Sequence, residues 1–204
     1  MPARPALPPA LDEEARAAMR SPGRAYHDEA HLDEVLERFD EVAAEVGWSR
    51  PAEVLVALLF HDAVYRPGAT DNEARSAALA RSALGRHVPH GAVDVERVAA
   101  LIELTARHAL LSPADVDAEA ALFLDCDMAI LGAEPARYQA YERGVAMEYQ
   151  AVPADLFRAG RQAFLERLLA APRIFLSPHF HARLDAAARA NLAAALASPS
   201  PTPG

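Results

Sequence analysis

The run EVLVALLFHDAVY is apolar on nearly every side until it reaches His61 and Asp62. A carboxylate at the end of such a segment is costly unless it meets a cation, a metal or several donors. A plain structural His-Asp pair would satisfy it, and so would an ion. Neighbours on a helix point about 100° apart, so within one His61 and Asp62 converge on an ion only where another element crosses. The preceding segment, YHDEAHLDEV, offers His27 and His31 at i and i+4, one above the other on a helix. Leu32, Val35 and Phe39 mark the buried stripe there and put His31 at its edge, although two ordinary histidines on an acid-rich surface fit the same spacing. A third segment, LFLDCDMAILG, holds Asp125 and Asp127 among Leu122, Phe123, Met128, Ile130 and Leu131, whose burial draws the acids inward. Two imidazoles and two carboxylates make a mixed nitrogen and oxygen set suited to one divalent ion, Mn, Fe, Ni, Co or Mg, and not to structural zinc.

Other residues carry two readings each. Thr70 to Glu73 has the form of a capping box, in which Glu73 binds backbone at a helix start. Alternatively Asp71, Asn72 and Glu73 face the metal pocket across the loop 65–69, Glu73 orienting a water and Asn72 reaching the substrate. Ser76, one turn on, reads as packing. Arg24 is either a surface arginine or a phosphate fork. His108 closes LIELTARH, where a helix dipole favours an imidazolium without any catalysis. His179 and His181 flank Phe180 and receive no role. Cys126, the single cysteine, excludes an internal disulfide and a cysteine-based zinc site.

Helices must position these groups. Alanine is abundant, apolar residues are 52% and aromatics only 6%, a balance that favours close-packed helices. Apolar residues recur at helical spacing from about Leu11 to Met19, His27 to Val46, Pro51 to Tyr65, Asp71 to Arg86, Val93 to Ala109, Pro113 to Leu131, Ala136 to Tyr149, Ala154 to Ala171 and Pro178 to Leu196. Gly47, Pro67-Gly68 and Gly132 supply stops, and Pro51, Pro113 and Pro178 supply starts. The expectation is an all-α protein of eight or nine helices, with an irregular segment over 1–10, one domain over 11–197 and a disordered tail over 198–204.

The net charge of -9 and the lack of a basic stripe argue against a nucleic-acid groove. The opening MPARPALPPALDEEARAAM lacks the apolar core of a secretory signal, and no apolar run is long enough for a bilayer, so a cytoplasmic protein without membrane association is expected. The apolar C-terminal helices leave a homodimer open, and core packing would explain them equally.

The order His31, His61-Asp62, Asp127 resembles the H…HD…D ligand pattern of the HD-domain superfamily of metal-dependent phosphohydrolases. Further blocks sharpen the likeness: RAYHDEAH from Arg24, FHDAVYRPGATDNEARSA from Phe60, LTARH from Leu104, FLDCDMAILGAEPARYQAY from Phe123, MEYQAV and AGRQAFLERLL. They resemble a bacterial branch of predicted metal-dependent HD phosphohydrolases, from about Arg24 to Leu196. The resemblance implies an HD-type helical bundle, His31, His61, Asp62 and Asp127 as ligands of one divalent ion, Asp125 in support, and His108 in the pocket. Where the branch carries an arginine shortly before the Glu-Tyr pair, this chain has Ala146. Some HD proteins hold a second metal with two extra histidines, a pattern that His87 and His90 could mimic, but loop histidines are poor candidates and a mononuclear site is favoured.

The implied activity is hydrolysis of a small phosphate ester, with a nucleotide as one option, by a metal-activated water. Asp62 or Glu73 would orient that water, while His27, His108 and Arg24 would stabilise charge at phosphorus. The alternatives are a catalytically silent nucleotide-binding or regulatory module and, as a third option, a di-iron oxygenase.

Overall fold

The computed structural model describes residues 3–198, and among these the protein is all-α, with nine α-helices and no strand. The expected tail falls at 199–204, outside the described residues, apart from Ser198. No helix of the described residues is long and apolar enough to cross a membrane. The chain divides after His108 into two compact units.

The first unit contains α1 (Pro9–Met19), α2 (Glu29–Glu45), α3 (Pro51–Phe60), α4 (Asn72–His87) and α5 (Val95–Thr105). Every residue of α3 from Val54 to Phe60 is buried, and the helix packs against α1, α2, α4 and α5. An all-round apolar helix must lie inside a core, since each large side chain it buries is worth about 1.5–3 kcal/mol. Residues 3–8 are irregular, yet Arg4 ties them to α2 by donating to Asp40 and to the Leu36 carbonyl. Gly47 ends α2 in the left-handed region, φ 89°, with its amide on the Val42 carbonyl.

Helix α2 starts later than the histidine spacing suggests. Asp28 is its N-cap, accepting from the amides of Ala30 at 2.9 Å and His31 at 3.3 Å. His27 therefore stands outside the helix, and only His31 is fixed by helical backbone.

Helix α3 ends at Phe60, five residues before the expected Tyr65. The Ala63 carbonyl would look for the amide of residue 67, which is a proline and has none. Arg24 takes that carbonyl at 3.0 Å and the Asp62 carbonyl at 2.8 Å. The Arg66 amide, freed from Asp62, donates to Asn72 Oδ1 at 3.0 Å, and the Val64 amide donates to Ser76 Oγ at 3.0 Å. Side chains of α4 and of the segment before α2 thus replace the helix's own bonds.

The second unit contains α6 (Ala118–Met128), α7 (Pro135–Glu148), α8 (Ala154–Ala170) and α9 (Pro178–Ala197). Asp117 caps α6 by accepting from the Ala120 amide. The expected continuation to Leu131 is a 3-10 turn, Ala129–Gly132, packed between α7 and α9. Gly132 is required there: a Cβ would lie 2.7 Å from Leu184 Cβ and 3.0 Å from the Leu184 carbonyl oxygen. Phe123, Phe175, Phe180 and Leu192 are fully buried among these elements.

Candidate metal centre

His61 is the residue after the last turn of α3, with φ -55° and ψ -40°, and is 1% exposed. His61 keeps helical dihedrals, so the groups meet because α2 packs beside the end of α3. An Asp62 carboxylate oxygen lies 3.2 Å from His61 Nε2 and 3.7 Å from His31 Nε2. The two Nε2 atoms lie 3.2 Å apart, and His31 is 2% exposed. His31, His61 and Asp62 each offer a ligand atom within 4.8 Å of the others.

His61 Nδ1 lies 2.8 Å from the Leu58 carbonyl, an acceptor only, so this nitrogen carries the proton. In a neutral ring that leaves the Nε2 lone pair facing His31 and Asp62, the tautomer and orientation that metal-binding histidines need. A cation between two imidazole nitrogens and a carboxylate suits this electron-rich, buried set. The three groups fit a divalent ion.

The surroundings divide the other expected residues into groups. His27 is half-buried; its ring stacks on Tyr65 at 4.1 Å and lies 5.7 Å from His31. Arg24 does not present a free fork: besides Asp62 and Ala63 it donates to the His27 carbonyl, and its guanidinium lies 5.7 Å from the Tyr65 ring centre. Asn72, 8% exposed, uses both ends of its amide on the Arg66 backbone, which makes it a clamp on the 65–71 loop. The expected capping box does not form, since α4 begins after Asp71, which makes no side-chain cap bond. Glu73 is half-buried in the first turn of α4. Helix α5 ends at Thr105, so His108 lies in a 3-10 turn and is 6% exposed. His87 bonds to Glu14 at 2.9 Å and His90 is exposed in the loop before α5, so neither stands ready as an additional ligand.

In the second unit, Asp127 is half-buried near the end of α6. Asp125 is fully buried and accepts the amides of Leu176 at 2.8 Å and Ser177 at 2.7 Å, so its carboxylate anchors the start of α9. Ala146 is buried in α7, at 2% exposure.

One cluster has no counterpart in the sequence reading. Glu142 accepts from Tyr138 at 2.7 Å and from Arg161, which also donates to Tyr141 at 2.9 Å. Burial pushes both phenols well above their ordinary range, while Tyr141 and Glu142 outweigh the cost of burial for Arg161 and keep it charged. A cavity of about 310 Å³ opens beside this group, lined by Tyr138, Glu142, Leu165 and Asn191 among others. The i, i+4 spacing of Tyr138 and Glu142 was a signal for it; the arginine, 19 residues further on, gave none.

No protein-family model, curated protein or solved structure matches this chain.

Proposed function

We propose that this chain is a metal-dependent phosphohydrolase that cleaves a small phosphate ester. The observation that supports it most is the convergence of His31 Nε2, His61 Nε2 and the Asp62 carboxylate, with the His61 ring set by Leu58. The resemblance to the HD superfamily adds Asp127 as the fourth ligand. A divalent ion there would acidify a water and neutralise phosphoryl oxygens.

The chain's own residues have separate tasks. His31 in α2 and His61 just after α3 would supply nitrogen ligands, and Asp62 would balance charge. The second carboxylate oxygen of Asp62 would accept a hydrogen bond from the attacking water and orient it. His27, held flat on Tyr65, and His108 are the candidates for donating to phosphate oxygens or to the leaving oxygen.

A silent nucleotide-binding or regulatory module is the competing function, and two observations favour it. Arg24 is occupied with backbone carbonyls, and the position where the resembling branch carries an arginine is the buried Ala146. Both remove a cation that would stabilise charge developing at phosphorus, which bears on turnover and not on the metal pocket.

Elemental analysis of the purified chain beside Asp62→Ala, followed by phosphate release from a nucleotide panel with Mn²⁺, separates these. About one transition metal per chain, lost in the variant together with phosphate release, supports the hydrolase. Metal with nucleotide binding but no release supports the module. Absence of metal from both proteins under Mn²⁺ loading would overturn the metal centre itself.

A further inference from the structure

We propose that Arg24 is a positioning residue of the metal centre, acting on Asp62 through the backbone of the turn that carries it. The inference rests on the metal-binding part of the function above and deepens it.

Arg24 stands 38 residues from Asp62, and one guanidinium nitrogen, Nη2, serves both the Asp62 and the Ala63 carbonyls. The other, Nη1, donates to the His27 carbonyl, four residues before the ligand His31. The guanidinium carbon lies 5.7 Å from the ring centre of Tyr65, which stacks on His27. A single cation therefore joins the segment that leads to His31 with the turn that carries Asp62. The Asp62 carboxylate is separated from its own backbone by only two rotatable bonds. Fixing the carbonyls at 62 and 63 fixes where that carboxylate can reach, and ligand placement tolerates only about 0.5 Å.

Two features make an arginine necessary here. Three carbonyls must be served from one side chain, which a guanidinium does with fixed geometry and an ammonium does not. The Ala63 carbonyl also has no helical partner, because residue 67 is a proline. Turning Arg24 toward a substrate phosphate would strand that carbonyl. The role is thus different from a phosphate fork.

The test uses the full chain and Mn²⁺ titrated by calorimetry, with Co²⁺ absorption reporting the ligand set. Arg24→Ala, Arg24→Lys, Asp62→Ala and the double variant Arg24→Ala/Asp62→Ala are compared with wild type. Arg24→Ala is expected to weaken Mn²⁺ binding by about tenfold or more, the range seen when residues behind a ligand are removed. Its Co²⁺ spectrum should shift toward that of Asp62→Ala. In the double variant the arginine change should cost no further affinity, since its effect runs through Asp62. A purely structural arginine would lower the melting temperature and leave the Co²⁺ spectrum alone. If circular dichroism shows Arg24→Ala unfolded, Arg24→Lys decides, with affinity expected between those of wild type and Asp62→Ala.

Wild-type affinity and spectrum in the folded arginine variants would overturn the proposal while leaving the metal centre standing. So would losses that add in full in the double variant. Unchanged Mn²⁺ binding with lost binding of inorganic phosphate by the loaded protein would restore the phosphate fork instead. A wild type that takes up neither ion would overturn the metal centre, and this proposal with it.

Discussion

His31 in α2 and His61 at the C-terminal end of α3 face each other through their Nε2 atoms at 3.2 Å, both nearly free of solvent, where the two helices pack together. The proton of His61 is held at the far side of its ring by Leu58. Burying two ring nitrogens against a carboxylate oxygen has little to recommend it as packing, because an apolar pair of similar volume would cost less to desolvate. An ion bound there would convert that arrangement from a cost into a binding site.

Divalent metal should therefore stabilise the folded chain. At a concentration 100 times its dissociation constant the gain is about 2.7 kcal/mol, which for a chain of this length raises the melting temperature by about 5–10 °C. Thermal melts with and without Mn²⁺ check this. His61→Ala and His31→Ala should lose the shift, and an equal shift in wild type and both variants would mean that the ion binds elsewhere.

Asp125 should matter for folding and not for metal. Its carboxylate takes two buried amides, and Asp125→Ala leaves both without it, at a cost of about 2–4 kcal/mol. Asp125→Asn keeps one acceptor and should lose about half as much. Urea unfolding gives the stabilities, and Mn²⁺ titration of the folded Asn variant should match wild type. A large drop in metal affinity would instead return Asp125 to a supporting role at the centre.

The burial of α3 and the all-α class were legible because they follow from local pattern: an apolar run of this length without polar breaks has nowhere to go but inside. The end of α3 was not. It depends on Arg24, Asn72 and Ser76, each taking over a backbone group from a distant part of the chain, and periodicity continues through the turn regardless. The signal that could have placed it was Pro67, whose missing amide strands the Ala63 carbonyl. Asp28 was likewise readable as an N-cap, but the i, i+4 spacing of His27 and His31 pulled the helix start back by two residues. The ligand candidates His31, His61 and Asp62 stood out because polar groups in an apolar setting are conspicuous. Asp125 stood out for the same reason, and its bonds to the amides of Leu176 and Ser177, about 50 residues away, could not be read from the sequence.

Gly132→Ala tests the close approach of the turn 129–132 to α9. The added methyl would sit 2.7 Å from Leu184 Cβ and 3.0 Å from its carbonyl oxygen, and the nearest atoms are backbone or fixed to it. Relief requires shifting α9 or the turn, so a loss of about 1–3 kcal/mol is expected from overpacking. Gly85→Ala is the control, since its new methyl meets nothing within 4 Å. In the last turn of α4 that change should be neutral or stabilise by less than about 1 kcal/mol. Equal effects at the two positions would show that the turn yields without strain.

Asp185 should give the second unit an acid limit. Burial works to raise its carboxyl, but the Ile174 amide at 2.8 Å, the Arg189 guanidinium at 2.7 Å and His181 outweigh burial and hold it below the ordinary value of 3.8. A carboxyl whose folded pKa is depressed binds its proton more weakly in the folded state than in the unfolded one. Its contribution is fully present above the ordinary value and is lost as pH falls from there through the depressed folded value. Urea midpoints measured between pH 6 and pH 2.5 should therefore drop below about pH 4 in wild type. Asp185→Asn removes the titrating group, so it should be less stable than wild type at pH 6 and show a shallower decline below pH 4. Parallel curves for the two proteins would assign the acid sensitivity to other carboxylates and leave Asp185 as an anchor of Ile174 with no pH-linked contribution.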